Sequence, residues 1–387
     1  MFDLYSGNTP SRLNKEHFKG TVNWISSGEL KEHYIYSSKE QISEEAAKSL
    51  KLLPVGTFVI AIYGLEADGV RGTGSITQEP STISQACMSF IPKGVIENEF
   101  LYSWYKKHGN VIGIRYAQGT KQQNLSYDIL EKFRIAYPNT KEQEKLNKFI
   151  SLLDERIATQ NKIIEDLKKL KSAIIEKVFC SPNKRNPMCR IEGFEQALST
   201  YKMCDFSSRI ATKNKDSKCS LVLTIAAQYG LVNQESFFNK SVASENLTGY
   251  YLLHKGEFAY NRSYSAGYDW GAVKRLDNYD EGVLSTLYIC FNINETIVDS
   301  DYLTYYFEST KWHRGLSDIA GEGARNHGLL NVSITDYFNT KHRFPVIEEQ
   351  KAIAKMLNTI TEKERKATLL GECYQKQKQY LLRQMFI

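Results

Sequence analysis

Residues 138–179 read PNTKEQEKLNKFISLLDERIATQNKIIEDLKKLKSAIIEKVF, and their spacing decides the fold. With Leu146 at heptad position a, Leu153, Gln160, Leu167 and Ile174 take the other a positions, and Ile150, Ile157, Ile164, Lys171 and Val178 take d. Apolar residues every 3.5 positions, surrounded by Lys, Glu and Asp, predict a long helix that buries one stripe against another helix. At ~1.5 Å per residue that helix would reach roughly 60 Å, which is a spacer's length rather than a small core's.

The partner lies in the same chain. A shift of 207 residues superposes Pro138, Glu142, Gln143 and Phe179 on Pro345, Glu349, Gln350 and Phe386 without a gap. The same frame places Ile353, Leu357, Ile360, Ala367, Tyr374, Leu381 and Met385 in a second seam, interrupted at Glu364, Gly371 and Lys378. A compact domain between the helices brings the end of the first to the start of the second, so they are expected to pair antiparallel. Two separate surface helices are the competing reading, and would leave each stripe exposed. Lys171 and Lys378 fall at equivalent d positions, expected at the domain-proximal ends or against the partner.

The repeat extends beyond the helices. LLPVGTFVIAIYG answers YLLHKGEFAYNRS, SQACMSF (84–90) answers STLYICF (285–291), NEFLYSWY (98–105) answers SDYLTYYF (300–307), and GTKQQNLS (119–126) answers GARNHGLL (323–330), in the same order. One unit, a globular domain plus a long helix, is used twice. The fold class is therefore mixed α/β: two pseudo-repeated α+β domains separated by two long helices forming an antiparallel coiled coil. The expected domains are 1–137, a helix over 138–180, 181–344, and a helix over 345–387. Short strands are expected at Phe58–Tyr63, Leu221–Ile225 and Leu284–Phe291. The lead-in GFEQALSTYKMC before the second domain has no counterpart before the first, which leaves the edge of the first domain short.

Composition narrows the function. Of the net charge of +6, the segments 141–179 (nine basic, seven acidic) and 345–387 (eight basic, five acidic) carry +2 and +3, so the globular parts are near neutral and bulk charge is weak evidence for nucleic acid. The seven cysteines are scattered without a C-x-x-C, which predicts reduced thiols in a cytoplasm. The start MFDLYSGNTP has neither a charged n-region nor an apolar h-region, and no run of apolar residues is long enough to span a bilayer. GVRGTGS lacks the third glycine of a dinucleotide fingerprint, and there is no phosphate-cradling loop, metal-ligand spacing or nucleophile elbow. His254, His313 and His342 read as structural. The expectation is a non-catalytic binder with no metal.

Four loops carry the candidate contacts, since amide and cationic donors beside permissive glycines read base edges and grip phosphates. One offers Lys121, Gln122, Gln123 and Asn124, and its counterpart offers Arg325, Asn326 and His327. Arg71 sits in GVRGTG. The run YNRSYSAGYDWGAVKR interleaves Arg262, Tyr264, Tyr268, Trp270, Lys274 and Arg275, a mixture that suits a nucleic-acid surface.

The repeated P-x-x-x-E-Q helix entry, the stretch FISLLDERIATQNKIIEDLKKLKSAIIEKVF, the terminal QYLLRQMF and TIAAQYGLV at Thr224 resemble the specificity subunit of type I restriction-modification systems. The resemblance covers essentially the whole chain. It implies that each globular domain recognises one half of a bipartite double-stranded DNA target and that the paired helices set the gap. It also implies that two methyltransferase subunits, which carry S-adenosylmethionine, dock around the helices, and that a motor-nuclease subunit joins for cleavage; this chain itself binds no cofactor. Two readings compete with it: a DNA-modifying enzyme acting alone, and a coiled-coil scaffold with no role on DNA.

Overall fold

The computed structural model describes residues 1–67, 69–119, 121–240, 246–263, 267–319, 325–326, 329–330 and 332–386, with the side chains of 216, 325, 326 and 329 left out. The chain divides into two units: Met1–Asn161 with Leu369–Ile387, and Lys162–Thr368. Each long helix contributes to both, as Thr140–Val178 and Ile347–Met385, of 39 residues each. The second helix is thus as continuous as the first, despite its interrupted seam.

In the first unit the apolar run after Gly56 forms the strand Phe58–Ala61, buried throughout, as a run with no polar alternation must be. It is central in a five-stranded sheet ordered Phe2–Ser6, Cys87–Pro92, Phe58–Ala61, Gly74–Thr77, Tyr34–Ile35, antiparallel except for the last pair. The helix Asn98–Tyr116 covers this sheet with Phe100, Leu101, Trp104, Tyr105 and Ile112, and runs well beyond the short helix expected at NEFLYSWY. A smaller sheet, Glu40–Ile42, Val22–Ile25, Ser81–Ile83, closes the other end.

The second unit centres on a four-stranded antiparallel sheet ordered Ser207–Ile210, Ile289–Ile293, Phe258–Asn261, Ala272–Arg275. Its central pairing, Phe258 opposite Phe291, matches Phe58 opposite Phe90 in the first unit. The helix Ser300–Glu308 begins at Asp299, whose carboxylate accepts the Tyr302 N–H at 2.9 Å. Further hairpins pair Leu223–Ala226 with Gly230–Asn233, Tyr251–His254 with Glu281–Leu284, and Ser199–Lys202 with Lys341–Phe344.

The expected strand over 284–291 is broken. It is two strands, Glu281–Leu284 and Ile289–Ile293, split by a turn in which the Tyr288 and Leu287 amides donate to the Ser285 carbonyl and hydroxyl. Ser84 makes the same turn in the first unit, taking the Cys87 and Ala86 amides and separating Ser81–Ile83 from Cys87–Pro92. A serine hydroxyl that satisfies nearby amides competes with the ladder and turns the chain.

The helix entries explain the P-x-x-x-E-Q repeat. Gln143, fully buried, accepts the Glu97 N–H at 3.0 Å and donates to the Val95 and Pro138 carbonyls at 2.9 Å each. Gln350, also fully buried, accepts the Asp299 N–H at 2.9 Å and donates to Ile297 and Pro345 carbonyls at 3.0 and 2.9 Å. One amide thus satisfies three backbone groups and ties each long helix to the loop before the domain helix.

Along the helices, Leu146, Leu153, Ile157, Ile164, Leu167, Ile174 and Val178 are half-buried, and Ile150 and Gln160 are buried. On the second helix Ile353, Leu357 and Gly371 are buried, while Ile360, Tyr374 and Leu381 are half-buried. In the first unit Lys378 pairs with Asp154 and Arg156 reaches the Tyr374 hydroxyl at 2.7 Å; numbering falls on one helix as it rises on the other, so these segments run antiparallel. In the second unit Lys171 meets Glu364 at 2.8 Å. The two interrupting lysines therefore meet carboxylates across the seam, and Glu364 is the partner of one of them rather than a break. Phe149, Leu152, Ile163 and Leu170 face outward, 41–50% exposed.

Candidate nucleic-acid interface

In the first unit the hairpin made by Phe58–Ala61 and Gly74–Thr77 carries a long tip, 62–73, and a second loop, 117–125, is zipped onto it. The Leu125 N–H donates to the Ile62 carbonyl at 2.8 Å, the Leu65 N–H to the Gln123 carbonyl at 3.1 Å, and Gln118 and Asn124 exchange backbone hydrogen bonds of 2.8 and 2.9 Å. Two glycines are required here. Gly72 (φ +71°) lies where a Cβ would stand 2.6 Å from the Asn110 backbone nitrogen, and at Gly119 (φ +105°) it would stand 2.1 Å from the Gln122 carbonyl oxygen. Gly72 and Gly119 thus serve close backbone approach.

This zipper brings five of the expected residues together. The Arg71 guanidinium donates through Nη2 to Gln123 Oε1 at 2.6 Å, across 52 residues of sequence, and its Nε is buried without a partner. Gln122 accepts the Tyr63 hydroxyl at 2.5 Å, and Lys121 and Gln122 stand exposed. Asn124 is held by its backbone and is half-buried. Glu66 accepts the Gln123 N–H at 2.8 Å, and that bond lowers its pKa. Tyr63, 40% exposed, was not among the expected residues; its position as the last residue of the apolar run before Gly64 is the signal that could have found it. The surface so formed presents a cation, amide groups and an aromatic ring on a backbone locked by hydrogen bonds. Donors held this way read an edge without first being ordered.

The second unit repeats the tie but not its use. The Leu330 N–H donates to the Arg262 carbonyl at 3.0 Å, as Leu125 does to Ile62. The Arg262 guanidinium turns inward and donates to the Val332 and Leu287 carbonyls at 3.1 and 3.2 Å, so it braces the loop. Arg325 and Asn326 lie on a short strand paired with Leu329–Leu330, with side chains outside the described residues; Tyr264 and His327 lie outside them altogether.

The run YNRSYSAGYDWGAVKR is not one surface, because strand register splits it. Ala272 pairs with Asn261 at the tip end, whereas Lys274 and Arg275 pair with Ala259 and Phe258 at the far end. Arg275 is held there by Asp277 at 2.6 Å, Asp301 at 2.8 Å and the Ser300 hydroxyl at 2.8 Å. Lys274 and Tyr268 line a hollow of about 430 Å³ with Lys171, Glu176 and Glu308, and burial pushes the Lys274 amine down.

The expected structural histidines are placed as follows. His342 is buried, accepts or donates at Tyr306 Oη (3.0 Å) and Thr340 Oγ1 (2.8 Å), and burial holds it at a pKa of about 3. His313 is pushed down to about 4 by burial, and His254 stands at the surface. All seven cysteines are free thiols. Among the described residues no helix is long and apolar enough to cross a membrane.

Residues 1–169 match the family described as type I restriction modification DNA specificity domain. The type I restriction enzyme MjaIX specificity subunit of Methanocaldococcus jannaschii is 29% identical over 183 residues, covering 46% of this chain and 41% of that protein. The type I restriction enzyme EcoR124I/EcoR124II specificity subunit of Escherichia coli is 31% identical over 168 residues, covering 42% and 40%. The chain thus spans about two fifths of the length of these curated relatives. Among solved structures, the type I restriction-modification S subunit from M. genitalium superposes with a TM-score of 0.53 at 15% identity, over 100% of this chain and 94% of that one. A chain from a structure of complex assembly and conformational transition of the type I R-M system gives 0.56 at 12% identity, over 99% and 96%. At these identities the likeness is one of fold.

Proposed function

We propose that this chain, whose residues 1–169 match the family described as type I restriction modification DNA specificity domain, is a non-catalytic specificity subunit that reads a bipartite double-stranded DNA target. The observation that carries the reading is the zippered pair of loops bearing Arg71, Lys121, Gln122 and Gln123 inside the matched region, with the same backbone tie at Leu330 and Arg262 in the second unit. Each unit would read one half of the target, the first through these residues and Tyr63, the second through the loop of Arg325, Asn326 and His327.

The same order of four antiparallel strands, the same Gln clamp and the same serine turn in both units support a duplicated recognition module. The seam of the two long helices, with Asp154–Lys378 and Lys171–Glu364 bridging it, supports an antiparallel coiled coil acting as the spacer. Phe149, Leu152, Ile163 and Leu170 are apolar residues turned away from that seam, and they suit the docking of two methyltransferase subunits, which would carry S-adenosylmethionine. A motor-nuclease subunit would complete the assembly in a cytoplasmic setting.

The test is methylation-site sequencing of the assembled methyltransferase. Changing Lys121 or Gln122 is expected to alter or relax the first half of the recognised sequence alone, and changing Arg325 or Asn326 the second half alone. A change in the opposite half, or an unchanged motif in all four variants, refutes the assignment.

A further inference from the structure

The two units share strand register but not strand number. Phe58 pairs with Ile76 as Phe258 pairs with Arg275, so Gly74–Thr77 and Ala272–Arg275 are equivalent, and Ser75 stands where Lys274 does. In the first unit the outer side of Gly74–Thr77 is taken by Tyr34–Ile35, laid parallel to it. The Ile76 and Gln78 N–H groups donate to the His33 and Ile35 carbonyls at 2.8 and 2.9 Å, and the Ser75 hydroxyl donates to the Glu32 carbonyl at 2.5 Å. All of Gly74–Thr77 is buried as a result.

The second unit lacks the residues to make such a strand. Val22–Ile25 runs parallel to Ser81–Ile83, and Val222 bridges to Val283 in the same sense. The pair Val22–Ile25 and Glu40–Ile42 therefore answers the pair Leu223–Ala226 and Gly230–Asn233. The first pair is joined through 26–39, which supplies Tyr34–Ile35, and the second through 227–229 alone. Among the described residues no strand lies outside Ala272–Arg275, and Lys274 and Arg275 are only half-buried. Beside this edge is the hollow of about 430 Å³, lined by Gln228 of the short turn, by Lys171, Ile175 and Glu176 of the long helix, and by Glu308 and Lys274.

An uncovered edge is a template for another strand, and a hollow beside it gives that strand's side chains room. Lys274 adds a preference. Lys171 is paired with Glu364, Glu176 is bonded to Thr310 and Lys311, and Glu308 is exposed to water. Lys274 has no hydrogen bond or ion pair among the described residues, and burial pushes its amine down. A half-buried ammonium without a partner favours a carboxylate.

We propose that the outer edge of Ala272–Arg275 and this hollow dock one extended acidic segment of a partner protein, added parallel to the strand as Tyr34–Ile35 is in the first unit, with a carboxylate on Lys274. Only the register that the two units share enters here, so a failure of DNA reading would leave the outcome of the test untouched.

The probe is a synthetic peptide with the sequence of residues 29–38 of this chain, ELKEHYIYSS, added to the full chain. Hydrogen exchange at Arg275 and Asp277, the counterparts of Ile76 and Gln78, is expected to slow at least about fivefold at about 1 mM peptide. Glu29→Gln with Glu32→Gln in the peptide should weaken its binding at least about fivefold. Lys274→Ser, which places the first unit's residue there, should keep the protection and erase the difference between the two peptides. No protection by the acidic peptide, equal binding of both peptides by the unchanged chain, or an undiminished preference in Lys274→Ser overturns the proposal. Protection that grows with the concentration of the chain alone, without peptide, overturns it in favour of a second copy.

Discussion

Gln143→Leu is the sharpest single perturbation of the fold. The side chain is fully buried and satisfies three backbone groups: it accepts the Glu97 N–H and donates to the Val95 and Pro138 carbonyls. Leucine nearly preserves the volume, so the cost is the loss of those bonds without a cavity. A buried group left unsatisfied costs ~1–3 kcal/mol, with carbonyls at the lower end because they keep a second lone pair, which gives roughly 3–5 kcal/mol for the three. For a unit of this size that corresponds to a melting-temperature loss of roughly 6–20 °C. The local readout is amide exchange at Glu97, which should accelerate as the helix entry parts from the loop. Gln350→Leu in the second unit should fall in the same range, read at Asp299, because its three bonds are the same in kind. A loss below about 1 kcal/mol for both variants would show that the clamp does not anchor the long helices.

Ile157→Asp places a carboxylate in the half-buried seam and should cost about 2–3 kcal/mol, whereas Leu152→Asp, on the outward face of the same helix, should leave melting unchanged and weaken co-purification with the methyltransferase subunit; the reverse pattern would mean that the two faces are assigned backwards. Acidification should destabilise the second unit through His342. Its folded pKa of about 3 lies below the ordinary value of 6.5, so the unfolded chain binds the extra proton, and the stability present above about pH 6.5 is lost as pH falls toward 3. Between pH 7 and 5.5 that amounts to roughly 1 kcal/mol, and His342→Gln, which keeps a bonding group for Tyr306, should flatten the slope; an identical slope in the variant would rule His342 out as the source.

The two long helices were legible because a 3.5-residue period sustained over 39 residues outlasts any local accident of composition. The lysines at d looked like breaks because a one-dimensional pattern shows the helix that carries them but not the acid opposite. Lys378 finds Asp154 on the other helix, 224 residues away in sequence. The Pro-x-x-x-Glu-Gln entry was visible as a repeat, but its meaning depends on carbonyls at Val95 and Ile297 that no spacing rule connects to it. Strand ends failed at Ser285 for the same kind of reason: a hydroxyl turned the chain inside a run rich in strand-favouring Thr, Tyr, Ile and Phe.

At the candidate interface, residue type was legible and assignment was not. Glycine beside Lys, Gln and Asn marked the loop at 119–124, but Arg71 and Gln123 become neighbours only through the sheet. The cluster expected from Arg262 to Arg275 dissolved because alternation and register place its two ends at opposite ends of a hairpin. This contrast bears on how such a module could change what it reads. The backbone bonds that join tip to loop, Leu125 to Ile62 and Leu330 to Arg262, draw nothing from the side chains they hold. Arg71 therefore points a donor at Gln123 and Arg262 braces its own loop, on one and the same frame. A frame fixed by main-chain groups tolerates new side chains at its rim at little cost in stability, and that is the physical condition that the proposed reading of two half-sites by two such units requires.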